Sequence, residues 1–309
     1  MKYIFLYAGQ GAQKVGMGKD FYETSETYRN VADAAAFEFD HKALMHEGPM
    51  EELSKTEYTQ PCMSVFAAGV TELLREKGIR PSAALGLSLG EYGALYAAGV
   101  FGAKEYIELT KFRGTVMAKA AEGMECAMSA ILGADAQTVK ETCDENLNKG
   151  YVTVANYNCP GQYVVCGDEA AVCAVEAALK EKGAKRCIRL NVSGPFHTKY
   201  MKPAGEALAG YLGEMELKEP QIPVVLNYTG DYYQSGDDLK EMLVNQVQNS
   251  VRMEESIKRV LEEDADLFIE IGPGNTLAGF VRKCAKEMKK KVTVHTIETV
   301  EDFEKLLGE

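Results

Sequence analysis

Hydrophobic positions along the chain fall into short apolar runs of strand length separated by longer segments of helical length. Tyr3–Tyr7, Ala83-Ala84-Leu85, Leu267–Ile271 and Val292–Thr296 read as strands. Between them Phe21–Phe37 reads as a helix, and a long helix opens near Thr59, with Thr59 as N-cap, Pro61 just inside and Gly78 just past the end. Glu91–Ala98 and Ala103–Ala121, the latter ending near Gly123, continue the pattern, and Asn275–Met288 follows the turn Gly272-Pro273-Gly274. Apolar strands alternating with helices predict a mostly parallel α/β sheet.

The middle of the chain has a different rhythm. Ala127–Leu132, Tyr151–Asn156, Tyr163–Cys166 and Arg186–Val192 read as strands, with helices over Asp135–Asn146 and Asp168–Lys182. The order β-α-β-β-α-β is the ferredoxin-like pattern and predicts a small subdomain, residues 124–193, inserted into a large domain made of residues 1–123 and 194–309. A cleft between the two is the expected substrate site.

Composition narrows the function classes. The chain has 309 residues, 46% hydrophobic and 26% charged, enough for a sizeable core. No apolar run approaches the roughly 20 residues that span a bilayer, and the N-terminal apolar run is short for an export signal, so a cytoplasmic protein is the reading; a monomer is expected. A net charge of -12 disfavours nucleic acid and anionic membranes as partners. Lys182, Lys185, Arg186, Arg189, Lys199 and Lys202 nevertheless form a local basic stretch, which reads either as a solvated strand edge or as a dock for an anionic partner. The eight cysteines contain no Cys-x-x-Cys pair and the four histidines show no zinc-ligand spacing with them, so reduced thiols and no metal are expected.

Candidate chemistry centres on Gly86-Leu87-Ser88-Leu89-Gly90, which follows an apolar run and precedes a helix. Strand, tight turn and helix are the setting of a Gly-x-Ser-x-Gly nucleophile elbow, although such a pentapeptide alone is also an ordinary turn. The turn leaves the Leu89 N–H at a helix N-terminus, where it can stabilise an oxyanion. Gly9-Gln10-Gly11-Ala12-Gln13 after the first strand can supply further N–H groups, and Lys14 in place of a third glycine argues against a dinucleotide fingerprint. Among His41, His46, His197 and His295, His197 in Ser193-Gly194-Pro195-Phe196-His197 is the best-placed base, in a shaped loop just after the last small-domain strand, although taken alone it reads more readily as a surface histidine in a turn. Arg113, mid-helix among apolar neighbours, can clamp a carboxylate if it turns inward, or lie on the surface.

In order and spacing these pieces, with Thr59-Gln60-Pro61, Glu91-Tyr92, Gly114, Met117, Asn158-Cys159-Pro160-Gly161-Gln162, Asn245-Gln246 and Glu270-Ile271-Gly272-Pro273-Gly274, resemble the malonyl-CoA:acyl-carrier-protein transacylase family over nearly the whole chain. The resemblance implies an α/β-hydrolase-like core with an inserted ferredoxin-like subdomain. It also implies ping-pong transfer of a malonyl group from malonyl-CoA, a substrate rather than a cofactor, to acyl carrier protein. Carried over residue by residue, Ser88 is the nucleophile, His197 the base and Gln246 the position whose glutamine-type side chain orients the histidine. The backbone N–H groups of Gln10 and Leu89 form the oxyanion hole. Arg113 binds the free malonyl carboxylate, Gln162 contacts substrate or CoA, and Phe196 crowds a 2-methyl branch. Leu87 and Ala8 stand where the family often has His and Pro, and altered packing is the expected consequence. A serine esterase or thioesterase and a stand-alone polyketide-synthase acyltransferase stay open, as does a carrier-binding module without catalysis.

Overall fold

The computed structural model describes residues 1–190 and 194–308. Four strands, β1 (Tyr3–Tyr7), β2 (Pro81–Gly86), β7 (Leu267–Ile271) and β8 (Val294–Ile297), form a parallel sheet in the order β2-β1-β7-β8. The other four are β3 (Cys126–Leu132), β4 (Val152–Cys159), β5 (Gln162–Asp168) and β6 (Arg186–Arg189), and these pair antiparallel in the order β4-β5-β3-β6. The α/β class with one parallel and one antiparallel sheet is thus as the sequence predicts. Positions 191 and 192 of the expected last strand of the small sheet, and the boundary at Ser193, lie outside the described residues.

The continuous apolar runs are explained by burial on both faces of the parallel sheet. Phe5, Tyr7, Ala84, Ile269 and Ile271 pack with the helices on one side, while Ile4, Leu6, Ala83, Leu85 and Phe268 pack on the other. The antiparallel sheet divides its residues the same way. Ile131, Val154 and Val165 face the helices Ala136–Glu145 and Glu169–Glu181, whereas Met128, Val164 and Cys166 face the large core. β4 is also tied to the large core by backbone hydrogen bonds between Tyr157 and Val251 and between Val251 and Ala155, both 2.9 Å.

Several local expectations change. Phe21–Phe37 is two helices, Lys19–Thr24 and Glu26–Ala34, because Ser25 leaves the helix and its hydroxyl caps Tyr28 N–H. The long helix begins at Thr56 rather than after Thr59, runs to Glu76 and carries Pro61 inside it. The Thr59 hydroxyl donates to the Leu53 carbonyl, so it ties down the preceding turn and caps no helix start. His41 and His46 sit in a helix, His41–Glu47, capped by Asp40. Helices Lys202–Glu214, Leu239–Gln248, Met253–Leu261 and Val300–Leu307 have no counterpart in the sequence reading. Among the described residues, no helix is long and apolar enough to cross a membrane, and all eight cysteines are free.

The register sets the site. Tyr7, Gly86 and Ile271 are level across β1, β2 and β7, so the loops after these strands emerge side by side. Ala8 N–H donates to the Ile271 carbonyl at 3.1 Å, a bond that proline at this position could not make. Leu87 N–H donates to the Tyr7 carbonyl at 3.0 Å, and the Leu87 side chain packs against Gly9. Close approach here requires glycine. A Cβ on Gly90 would lie 2.0 Å from the Tyr7 carbonyl oxygen, and one on Gly86 would lie 2.1 Å from the Gly90 carbonyl carbon. Gly90→Ala therefore forces backbone apart from backbone. A loss of at least about 1–3 kcal/mol in denaturant unfolding is expected, whereas an unchanged midpoint would show that the sheet and elbow tolerate separation.

Candidate active site

Ser88 occupies the turn between β2 and the helix Leu89–Ala97, with φ 53° and ψ -99°, a region that a non-glycine residue rarely adopts. Its Oγ lies 2.7 Å from His197 Nε2. His197, also at positive φ (58°), places Nδ1 2.8 Å from the backbone carbonyl of Gln246. A carbonyl only accepts, so Nδ1 carries the proton, Nε2 presents its lone pair, and the serine hydroxyl donates to it.

Gln246 is therefore brought to the site, but by a different atom from the one expected. Its backbone, not its side chain, orients the histidine. The carboxamide is turned away because it has two other partners: Nε2 donates to the Ser88 carbonyl at 2.8 Å, and Oε1 accepts from Arg113 Nη2 at 3.0 Å. Arg113, 1% exposed, turns inward. Nη2 also donates to Ser88 Oγ at 3.0 Å, Nη1 donates to Gln60 Oε1 at 2.8 Å, and the guanidinium lies 5.1 Å from the Tyr92 ring centroid. Every acceptor around this cation is neutral, and its Nε has no partner.

A cavity of about 180 Å³ opens on Ser88 and His197. Gln10, Gln60, Leu87 and Phe196 from the large core and Met128, Asn156, Asn158 and Val164 from β3, β4 and β5 line it, so it lies between the two sheets. Leu89 N–H heads its helix, and neither it nor Gln10 N–H has a protein acceptor among the described residues. The Gln10 side chain is held by Thr56 at 2.9 Å and by Gln60 at 3.4 Å. Gln162 is not brought to this cavity. It begins β5, and its Oε1 accepts from Lys283 Nζ at 3.2 Å. His41, His46 and His295 contact Ala32, Tyr22 and Asp302 and stand apart from the site. In the basic stretch, β6 is an edge strand, and Lys182 and Arg189 are already paired with Glu145, Glu169 and Glu176.

Four residues with no assigned role in the sequence reading belong here. Gln60 bridges Arg113 and Gln10. Asn158 has a buried Oδ1 without a protein partner. Asn227 Oδ1 accepts Ser88 N–H at 2.6 Å, and Glu91 accepts Asn227 N–H. Gln60, Asn158 and Glu91 lie inside the motifs that carry the resemblance, but no spacing rule says which way their side chains point. Asn227 lies in a stretch with no periodic pattern.

Burial sets the electrostatics. It pushes the His197 imidazole down from 6.5 to about 4, reinforced by the Arg113 charge and opposed by the backbone carbonyls that accept from the ring. Burial also raises the Glu91 carboxyl to about 7 against the pull of Asn227 N–H and Arg113, and it holds the Arg113 guanidinium below its ordinary value. The His197 shift keeps the base neutral and able to accept a proton.

Residues 4–304 match the acyl transferase domain family, the class that this serine, histidine and arginine arrangement fits. A malonyl CoA-acyl carrier protein transacylase of Bacillus subtilis is 41% identical over 303 residues, covering 97% of this chain and 95% of the relative. The crystal structure of a malonyl CoA-acyl carrier protein transacylase from Clostridium perfringens superposes with a TM-score of 0.94 at 36% identity, covering 100% of this chain and 96% of that one. A malonyl-transacylase in complex with its type II PKS acyl-carrier protein gives a TM-score of 0.94 at 33% identity, with 100% of both chains covered. The chain belongs to the malonyl CoA-acyl carrier protein transacylase family.

Because the His197 value is depressed, its protonation should limit Ser88 acylation only as pH falls toward about 4, not near 6.5. A pH profile of single-turnover acylation should stay level through the range where an ordinary histidine titrates. An acid limb in that range would contradict the burial account.

Proposed function

We propose that this protein transfers a malonyl group from malonyl-CoA to the phosphopantetheine thiol of acyl carrier protein, through a malonyl ester on Ser88. Its membership of a family whose relatives carry that name supports the reaction. The observation that carries the substrate is Arg113, a buried cation beside the nucleophile with only neutral acceptors.

In this reading Ser88 Oγ attacks the thioester carbonyl as its proton passes to His197 Nε2. The C=O electron pair moves onto oxygen, which faces the N–H groups of Gln10 and Leu89, and loss of either donor would cost roughly 3 kcal/mol of barrier. Collapse breaks the C–S bond, and His197 returns the proton to the departing CoA sulfur. The carrier thiol then gives its proton to His197, attacks the ester and leaves Ser88 as it began. A thioester is already activated, so the scheme needs no cofactor. The malonyl carboxylate would replace neutral acceptors around Arg113 with an anion, and Phe196 would crowd a 2-methyl branch, a contact that separates substrates by about 1–3 kcal/mol.

We read the two sheets as an α/β-hydrolase-like body, residues 1–123 and 194–309, with a ferredoxin-like insert, residues 124–193. The antiparallel strand order and the position of the cavity between the sheets support that division. A polyketide carrier as acceptor is the second reading, favoured by the likeness to a transacylase solved with a type II PKS carrier.

Arg113→Ala separates this function from that of a simple esterase. A charge-assisted hydrogen bond contributes about 1.5–3 kcal/mol, so kcat/KM for malonyl-CoA should fall by roughly 10- to 100-fold relative to acetyl-CoA. Equal losses for both esters would remove Arg113 from substrate selection.

A further inference from the structure

The parallel ladder does not end with β2. Residues 223–225 run alongside it: Ala84 N–H donates to the Pro223 carbonyl at 3.0 Å, and Val225 N–H donates to the Ala84 carbonyl at 3.1 Å. In a parallel ladder one residue donates to the residue before its partner and accepts from the residue after it. Two residues further on, the next such position would face Leu87, with Gly86 and Ser88 as the residues to be bonded. There the backbone turns away, since Asn227 N–H goes to Glu91 and its carbonyl accepts Arg252 N–H.

The Asn227 side chain takes over. Nδ2 donates to the Gly86 carbonyl at 2.8 Å, and Oδ1 accepts Ser88 N–H at 2.6 Å. A carboxamide has the same donor and acceptor as a peptide, and both partners dictate the same orientation of the amide. Asn227 is fully buried. Glu91, in the first turn of the helix that Ser88 heads, closes a ring: Ser88 N–H to Asn227, Asn227 N–H to Glu91, and Glu91 N–H to the Ser88 carbonyl at 3.1 Å.

We propose that Asn227 is a positioning residue for the nucleophile. Its carboxamide stands in for the missing peptide opposite Leu87 and, locked by Glu91, holds residue 88 in the strained conformation that sets Oγ against His197 Nε2. The inference rests on Ser88 as the nucleophile but not on malonyl as the substrate.

The full chain and its N227A and N227D variants test it. The readouts are labelling by an alkyl fluorophosphonate, which needs Ser88 and His197 but no carboxylate recognition, and acylation by malonyl-CoA. Thermal melts check folding, and malonyl-CoA affinity is compared in the S88A and S88A/N227A proteins. N227A should slow both reactions by a common factor on the order of 10- to 100-fold while affinity changes by less than about twofold. The isosteric N227D carries the test should N227A not fold. Its carboxyl can donate to the Gly86 carbonyl only when protonated, so its rate relative to wild type should rise as pH is lowered from about 8 to about 5.5, and any N227A ratio should stay flat. Labelling of N227A within about twofold of wild type would overturn the proposal. So would affinity falling as far as rate, or an N227D ratio independent of pH. Wild type that labels with the fluorophosphonate but not with malonyl-CoA would refute the malonyl reading and leave this one standing.

Discussion

Arg113 is a full positive charge placed almost out of contact with water, 3.0 Å from the oxygen of Ser88, and the site is organised around holding it there. An isolated buried charge is costly unless hydrogen bonds and nearby charge compensate it. Gln60 and Gln246 supply the acceptors, the Tyr92 ring faces the cation, and Glu91 supplies the nearby acidic group. The compensation is incomplete, because the guanidinium Nε has no partner. In the proposed reading a substrate carboxylate would give the guanidinium an anionic acceptor. The same charge adds to burial in disfavouring protonation of His197.

The arrangement depends on where the sheet ends. Level register across β1, β2 and β7 brings three loops together, and only glycine at 86 and 90 lets the elbow pack against β1. Ser88 then takes a backbone conformation with unfavourable intrinsic energy, which persists only when its surroundings over-determine it. Its carbonyl is held by Gln246 and Glu91, its N–H by Asn227, and its hydroxyl lies between His197 and Arg113. The second sheet contributes Met128, Val164 and the two asparagines of the cavity wall, so the substrate space exists only where the two sheets face each other.

Much of this was legible in the sequence, for identifiable reasons. Apolar runs such as Tyr3–Tyr7 are continuous because both sheet faces are covered, and the elbow announces itself because glycines are needed where backbones touch. Pro61 invites an N-terminal reading within the helix that starts at Thr56, and burial of nearly the whole helix overrides that preference. The helices between Lys202 and Leu261 have no counterpart in the sequence reading and are held by tertiary packing. Gln246 was found by position, but a motif cannot say whether a carbonyl or a carboxamide makes the contact. Gln162 belongs to a recognisable turn, yet the hairpin register points its amide at Lys283. Asn227 was invisible because its role is to imitate a peptide, which requires a place in space and no pattern in sequence.

The central claim, that Ser88 carries a malonyl ester made for transfer rather than for release to water, is tested most directly by intact mass. Wild type and Ser88→Ala would be mixed with malonyl-CoA, freed of excess ester, and then chased with phosphopantetheinylated acyl carrier protein or with buffer alone. The account predicts a malonyl adduct on wild type only, stable in buffer and discharged quickly as the same mass appears on the carrier. An adduct that buffer removes as fast as the carrier does would contradict it and make this chain a hydrolase.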